Sequence, residues 1–235
     1  MFNIDKMCGI DVDTLYAFMS KGNILYKSET EGIKSNLRLI TYELQRRGIK
    51  ILSCNDKHFG DEAHKLQESE LTVNGGPFEL HAAAGTEGCE KIPETLLSQD
   101  VIYVPNEPLG CLNLDTFKNM IFRAKQIVIE KQSYDVFYSK ENPGGNLNID
   151  TVLNILGSED FFAYGVYTDY CIKAAVLGLL ARKKNVWIIK DAIVPFNVNP
   201  EDGEKALIEM VNGPNGGAKF ITTDSFVEIL KSNFG

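Results

Sequence analysis

The chain has 235 residues, 44% of them hydrophobic and 24% charged, a balance that suits one globular domain with a sizeable core and excludes disordered and fibrous classes. Its formal net charge of -8 excludes the broad basic surface that binding to a phosphate backbone needs, so no nucleic-acid partner is expected. No apolar run is long enough to span a membrane, and the opening "MFNIDKMCGIDVD" lacks the basic start and apolar middle of a signal peptide, so a cytoplasmic protein without a membrane partner is expected.

Taken in chain order, strand-like and helix-like stretches alternate. "CGIDVD" (8–13) is a short apolar run ending in an acid. "EGIKSNLRLITYELQRRG" (31–48) places Ile33, Leu37, Ile40 and Leu44 at helical spacing, with basic residues in the last turn and Gly48 as a stop. "IKILSC" (49–54), "DVIYVP" (100–105), "QIVIE" (126–130), "FFAYGV" (161–166) and "NVWIIKD" (185–191) read as further strands, and helical segments near 114–124, 148–157 and 201–212 fill most of the gaps. Another helix begins around Cys171. Strands with little polar alternation, joined by helices, predict an α/β three-layer sandwich: a mostly parallel six-stranded sheet covered on both faces. With no internal repeat and no abrupt change in composition, residues 1–235 are expected to form a single domain, with a long loop region at about 55–99 that contains every histidine.

In parallel sheets of this kind, ligands bind beyond the carboxyl ends of the strands. Those ends carry Asp13, the run "NDKH" (55–58), Lys131, and "GVYTDYC" (165–171). A free cysteine is most often an inert buried filler. Cys171, however, follows Thr168 and Asp169, both good helix caps, and so falls in a first turn, where the partial positive charge of the helix end favours a thiolate. Gly165, just upstream, permits a tight backbone there. The five cysteines, Cys8, Cys54, Cys89, Cys111 and Cys171, are odd in number and contain no CxxC pair, which points to reduced thiols rather than a disulfide framework.

A histidine is the usual proton acceptor for a reactive thiol, but the three here form another pattern. "DKHFGDEAH" gives Asp56, His58 and His64, with His81 further along. In an extended segment Asp56 and His58 point to one face, and imidazole with carboxylate is a donor set for zinc, iron or manganese. The plainer reading of isolated histidines is surface placement. If they hold a metal, Asp13 becomes the leading base. An Asp or Lys ending a strand is otherwise most often a turn residue or a solvated one.

At these residues the chain resembles the isochorismatase-like cysteine hydrolases, and within them the nicotinamidases, along nearly its whole length. "VDTLYAF" (12–18) is similar to the family's opening motif, Val-Asp-x-Gln-x-Asp-Phe; "NDKHFGDEAH" and "FELHAAAGTEGCE" to its metal loop; "EKQSYDVF" to its lysine segment; and "GVYTDYCI" to its nucleophile motif, Gly-Val-x-Thr-Asp-x-Cys-Val. The resemblance implies Asp13, Lys131 and Cys171 as the catalytic triad. It also implies Asp56, His58, His64 and His81 as ligands of one divalent metal, zinc above iron or manganese. A cis peptide at Val166–Tyr167 would help to form an oxyanion hole from the backbone N–H groups of Tyr167 and Cys171.

By the same resemblance, the activity is hydrolysis of nicotinamide to nicotinate and ammonia through a thioester, a step of NAD salvage, with the metal orienting the pyridine nitrogen. Phe18, Phe78 and Tyr134 are candidates to sandwich a flat ring, though each taken singly is as well read as a core aromatic. Three departures bear on the substrate: Leu15 replaces the motif's Gln, Ala17 its second Asp, and Tyr167 stands where a small residue is common. A related hydrolase of N-carbamoyl or other small amides is the alternative, an isochorismatase is disfavoured by the cysteine and the metal loop, and a metal-binding scaffold with an inert cysteine is the reading from another class. A homo-oligomer is left open.

Overall fold

The computed structural model describes residues 2–110 and 112–234. Its centre is one sheet of seven strands: β1 (Met7–Val12), β2 (Lys50–Asp56), β3 (Val101–Val104), β4 (Gln126–Lys131), β5 (Asp160–Val166), β6 (Asn185–Val194) and β7 (Lys219–Ile221). The order is β3-β4-β2-β1-β5-β6-β7 and every pairing is parallel. The sheet thus has one strand more than the six expected, because the short edge strand β7 carries no apolar run.

The helices are α1 (Tyr16–Met19), α2 (Lys34–Arg46), α3 (Leu114–Arg123), α4 (Ile149–Leu156), α5 (Lys173–Ala181), α6 (Asp202–Val211) and α7 (Thr223–Phe234). Two cores result, one on each face of the sheet. Cys8, Ile10 and Val12 of β1 face a core that includes Phe117 and Ile121 of α3, Val152 and Leu153 of α4, and Val176 and Leu179 of α5. Met7, on the opposite pleat, joins Leu37, Ile40 and Leu44 of α2 and Phe226 and Leu230 of α7. The 3- and 4-residue spacing in α2 puts its three apolar side chains on one face, and each is fully buried. Burying each contributes at most about 1.5–3 kcal/mol. Gly9 permits this approach, since a Cβ there would lie 2.5 Å from Leu44 Cδ1. Residues 31–33, expected within this helix, belong instead to a 3-10 turn before it, Ser28–Ile33.

From β1 the sheet extends through β2 on one side and β5 on the other, so the carboxyl end of β1 is a switch point where loops diverge and a cleft opens. The loop between β2 and β3 is fastened underneath it. Lys91 Nζ lies 2.6 Å from Asp11 Oδ2 and 2.7 Å from Thr14 Oγ1, while Thr14 donates to Asp11 Oδ1 at 2.7 Å, all of them buried. Asp11 is thereby committed to holding this loop. Leu15 and Ala17, the two departures in the opening motif, are buried core residues. Cys8, Cys54, Cys89 and Cys171 are free thiols; Cys111 lies outside the described residues. Among the described residues no helix is long and apolar enough to cross a membrane.

Candidate active site

Register brings the strand ends together. Asp56 is paired with Lys131 across β2 and β4, and Val12 stands between Cys54 of β2 and Gly165 of β5, so Asp13, Asp56, Lys131 and the segment after Val166 share one edge. Asp13 turns off the strand at φ +50°, with its N–H on the Cys54 carbonyl (2.9 Å) and its Oδ1 accepting from the Asp56 N–H (2.8 Å). Its Oδ2 lies 2.9 Å from Lys131 Nζ. Lys131 also contacts Asp56 Oδ1 and stands 3.8 Å from Cys171 Sγ. Asp13, Asp56 and Cys171 offer atoms that all lie within 4.8 Å of one another. Gly165 makes this convergence possible: at φ +118°, a Cβ would meet the Val12 carbonyl at 2.0 Å.

Cys171 lies in a π-helical turn, Thr168–Ile172, that runs into α5, directly after a cis peptide at Val166–Tyr167. Neither Thr168 nor Asp169 caps the helix through its side chain. The Asp169 carboxylate instead accepts from the N–H groups of Phe196 (2.7 Å) and Asn197 (2.8 Å), which holds Phe196 against the site. The electrostatics also differ from a standing thiolate. Burial pushes the Cys171 thiol well above its ordinary range, and the pull of Lys131 does not offset burial together with Asp13 and Asp56. Burial and the Asp56 charge raise Asp13 to about 6, against Lys131. Burial disfavours the Lys131 ammonium, but Asp13 and Asp56 hold its pKa well above normal; Asp56, despite burial, is held well below by Lys131 and His81. These shifts favour an ammonium between two carboxylates, beside a neutral thiol. A carboxylate of pKa about 6 within reach of a thiol is placed to take its proton as the sulfur attacks, so no free thiolate is required.

On the far side of Asp56 stands a second cluster, with one change from expectation. Asp56, His58, Glu70 and His81 are buried and present atoms within 4.8 Å of one another. His58 Nε2 lies 3.0 Å from Glu70 Oε1, and His81 Nε2 lies 3.5 Å from Asp56 Oδ2 and 3.6 Å from Glu70 Oε1. His64 is elsewhere. Its Nδ1 sits 2.7 Å from Asp61 Oδ1, its ring stacks on Phe59 at 3.9 Å, and its side chain is 31% exposed, because the chain turns at Asp61 and carries it outward. Glu70, from "QESELTV", takes the fourth position.

The donor set fits a divalent cation. Both ring nitrogens of His58 are buried without a hydrogen-bond partner, and His81 Nδ1 is engaged with the Glu79 carbonyl at 2.8 Å, which leaves its Nε2 lone pair facing the cluster. Two imidazoles and two carboxylates suit zinc, iron or manganese.

Between the clusters lies a slot walled by Phe18, Leu25, Phe78, Tyr134, Tyr167, Tyr170 and Phe196, with Asp56, Glu70, His81 and Cys171 at its base. The rings meet largely edge to face: Phe78 with Tyr170 at 5.1 Å, Tyr167 with Phe196 at 5.1 Å, Phe18 with His81 at 5.4 Å. The three aromatics singled out from sequence all line it; Leu25, Tyr170 and Phe196 were not foreseen. Tyr170 sits in the nucleophile motif itself. Phe196 is fixed by Asp169 from a distant loop, a link that no local pattern announces.

Residues 112–225, which include Lys131 and Cys171, match the family model of the isochorismatase domain. No curated protein matches the chain in sequence. Several solved structures share its fold. The zinc complex of a pyrazinamidase from Pyrococcus horikoshii is 22% identical, with 92% of this chain and 99% of that one aligned and a TM-score of 0.67. An N-carbamoylsarcosine amidase from Thermoplasma acidophilum is 20% identical over 93% and 97% of the two chains, with a TM-score of 0.63. A nicotinamidase from Bacillus subtilis is 18% identical over 92% and 98%, with a TM-score of 0.64. Residues 112–225 thus match the isochorismatase domain, and the chain shares the isochorismatase-like fold along most of its length.

Proposed function

We propose that the protein is a metal-dependent cysteine amidohydrolase that converts nicotinamide to nicotinate and ammonia, a reaction of NAD salvage. The observation that carries this reading is the slot's composition: a wall of aromatic rings closing on Cys171 and on the Asp56, His58, Glu70, His81 cluster, with no Arg or Lys in its lining. A flat neutral ring amide is matched by such walls. An N-carbamoyl amino acid is flexible and brings a carboxylate that the aromatic walls do not pair, and Lys131 is already engaged by Asp13 and Asp56.

In the mechanism that follows, the Asp13 carboxylate takes the Cys171 proton as Sγ attacks the carboxamide carbon. The S–C bond forms as the carbonyl π pair moves to oxygen, and Lys131 stays protonated beside both groups. Backbone N–H groups of Tyr167 and Cys171 accept the role of oxyanion donors, each worth about 3 kcal/mol to the transition state. Collapse breaks the C–N bond; Asp13 returns its proton to the departing nitrogen, and ammonia leaves. Asp13 then deprotonates the water that cleaves the thioester and regenerates the thiol. Asp56, His58, Glu70 and His81 would hold the divalent cation, which supplies an anchor for the pyridine nitrogen.

The test is ammonia release from nicotinamide by purified protein, beside a Cys171→Ala variant and a chelator-treated sample. Release that vanishes in the variant and falls on chelation is expected. No release from nicotinamide, with release from a carbamoyl amide, would replace this substrate with the alternative one.

A further inference from the structure

Tyr167 has two parts, and each does something to the slot. The residue is 4% exposed, and its ring stands edge to face with Phe18 (centroids 5.8 Å apart, planes at 88°) and against Phe196 (5.1 Å, 60°), so it forms the wall between them. Its hydroxyl donates to the Leu25 carbonyl and lies 3.1 Å from the Phe18 carbonyl. Phe18 and Leu25 both line the slot, and between them the chain makes an exposed excursion, with Ile24 60% accessible and backbone bonds that are local, Asn23 N–H to Ser20 O and Tyr26 N–H to Asn23 O. One buried phenol therefore ties together the two feet of this excursion.

From these contacts we infer that Tyr167 sets the size limit of the substrate slot: the ring closes it to amides on fused two-ring systems, and the hydroxyl strap keeps Phe18 and Leu25 in place around a single ring. The inference deepens the amidohydrolase reading and rests on it for the identity of the substrate. Tyr167 acts here through its side chain as a specificity and positioning residue, distinct from the expected role of its backbone N–H. Removing the hydroxyl leaves the Leu25 carbonyl without its donor and frees the excursion, whereas removing the ring opens the wall.

The experiment compares wild type with Tyr167→Ala, Tyr167→Leu and Tyr167→Phe on metal-loaded protein, with thermal unfolding to show that each variant is folded. The first readout needs no turnover: the rate of alkylation of Cys171 by N-naphthyl iodoacetamide divided by the rate with iodoacetamide, followed on the Cys171 peptide by mass spectrometry. Tyr167→Ala should raise this ratio about tenfold or more, with Tyr167→Leu, the fallback if the Ala variant does not fold, moving it the same way. The second readout is kinetic. Tyr167→Phe should raise KM for nicotinamide about threefold or more with kcat little changed, as loss of one buried hydrogen bond to a binding wall predicts.

A labelling ratio that stays within about twofold of wild type in folded Tyr167→Ala overturns the size limit. An unchanged KM in Tyr167→Phe overturns the strap. Should nicotinamide prove not to be a substrate, the labelling ratio still reads the wall, so failure of the inference and failure of the proposed function are told apart.

Discussion

Replacing Lys131 with Met removes the cation that sits 2.9 Å from Asp13 Oδ2 and contacts Asp56; it leaves Asp13, at 0% exposure, with no cation beside it, and Asp56, at 1%, with only the neighbouring histidines. Breaking a buried ion pair by deleting one partner costs about 3–5 kcal/mol. For a chain of this length, 1 kcal/mol moves Tm by about 2–4 °C, so a fall of roughly 6–20 °C is expected. The assay is thermal unfolding of chelator-treated wild type and Lys131→Met, so that no metal stands in for the lost charge, at about pH 8 and about pH 5.5. In the variant burial and the Asp56 charge are no longer opposed by Lys131, so the Asp13 pKa should rise further above its unfolded value near 3.9. A raised pKa contributes stability at low pH that is lost as pH rises through the folded value. The deficit should therefore be larger at pH 8 than at pH 5.5. Adding Asp13→Asn to Lys131→Met should restore part of the loss at pH 8. A Tm within about 2 °C of wild type at pH 8 would refute the buried ion-pair account.

Asp13, raised to about 6, accepts a proton only when ionised, so kcat/KM should fall about tenfold per pH unit below that value and level off above it. A profile flat down to about pH 5 would remove Asp13 as the base. Glu70→Gln and His58→Ala should lower bound metal, measured by elemental analysis after dialysis, while His64→Ala leaves it unchanged because His64 is paired with Asp61 instead. Asp169→Ala should raise KM and lower stability by about 1.5–3 kcal/mol, the worth of a charge-assisted bond, since the Phe196 and Asn197 N–H groups lose their acceptor.

The six strands that build the cleft are readable from sequence because buried parallel strands are continuous apolar runs, and the runs ending at Asp13, Lys131 and Val166 converge once the sheet is taken as parallel. The seventh, Lys219–Ile221, has three residues, none fully buried, and so no such signature. Spacing served less well in the loop. It is informative only while the chain keeps one direction, and the turn at Asp61 breaks that condition, sending His64 outward and leaving its place to Glu70, whose stretch has no periodicity to read. The charge state of Cys171 was also hidden. A helix end favours a thiolate, but Asp13, Asp56 and burial together favour the thiol, and only the packed geometry shows which side prevails.

The most direct measurement of the account is acid quench of the protein during turnover of nicotinamide, followed by peptide mass spectrometry. The account predicts a nicotinoyl group on Cys171 that is absent from Asp13→Asn and is lost on treatment with hydroxylamine, as a thioester would be. Ammonia release that continues in Cys171→Ala, or an acyl group on another residue, would contradict it.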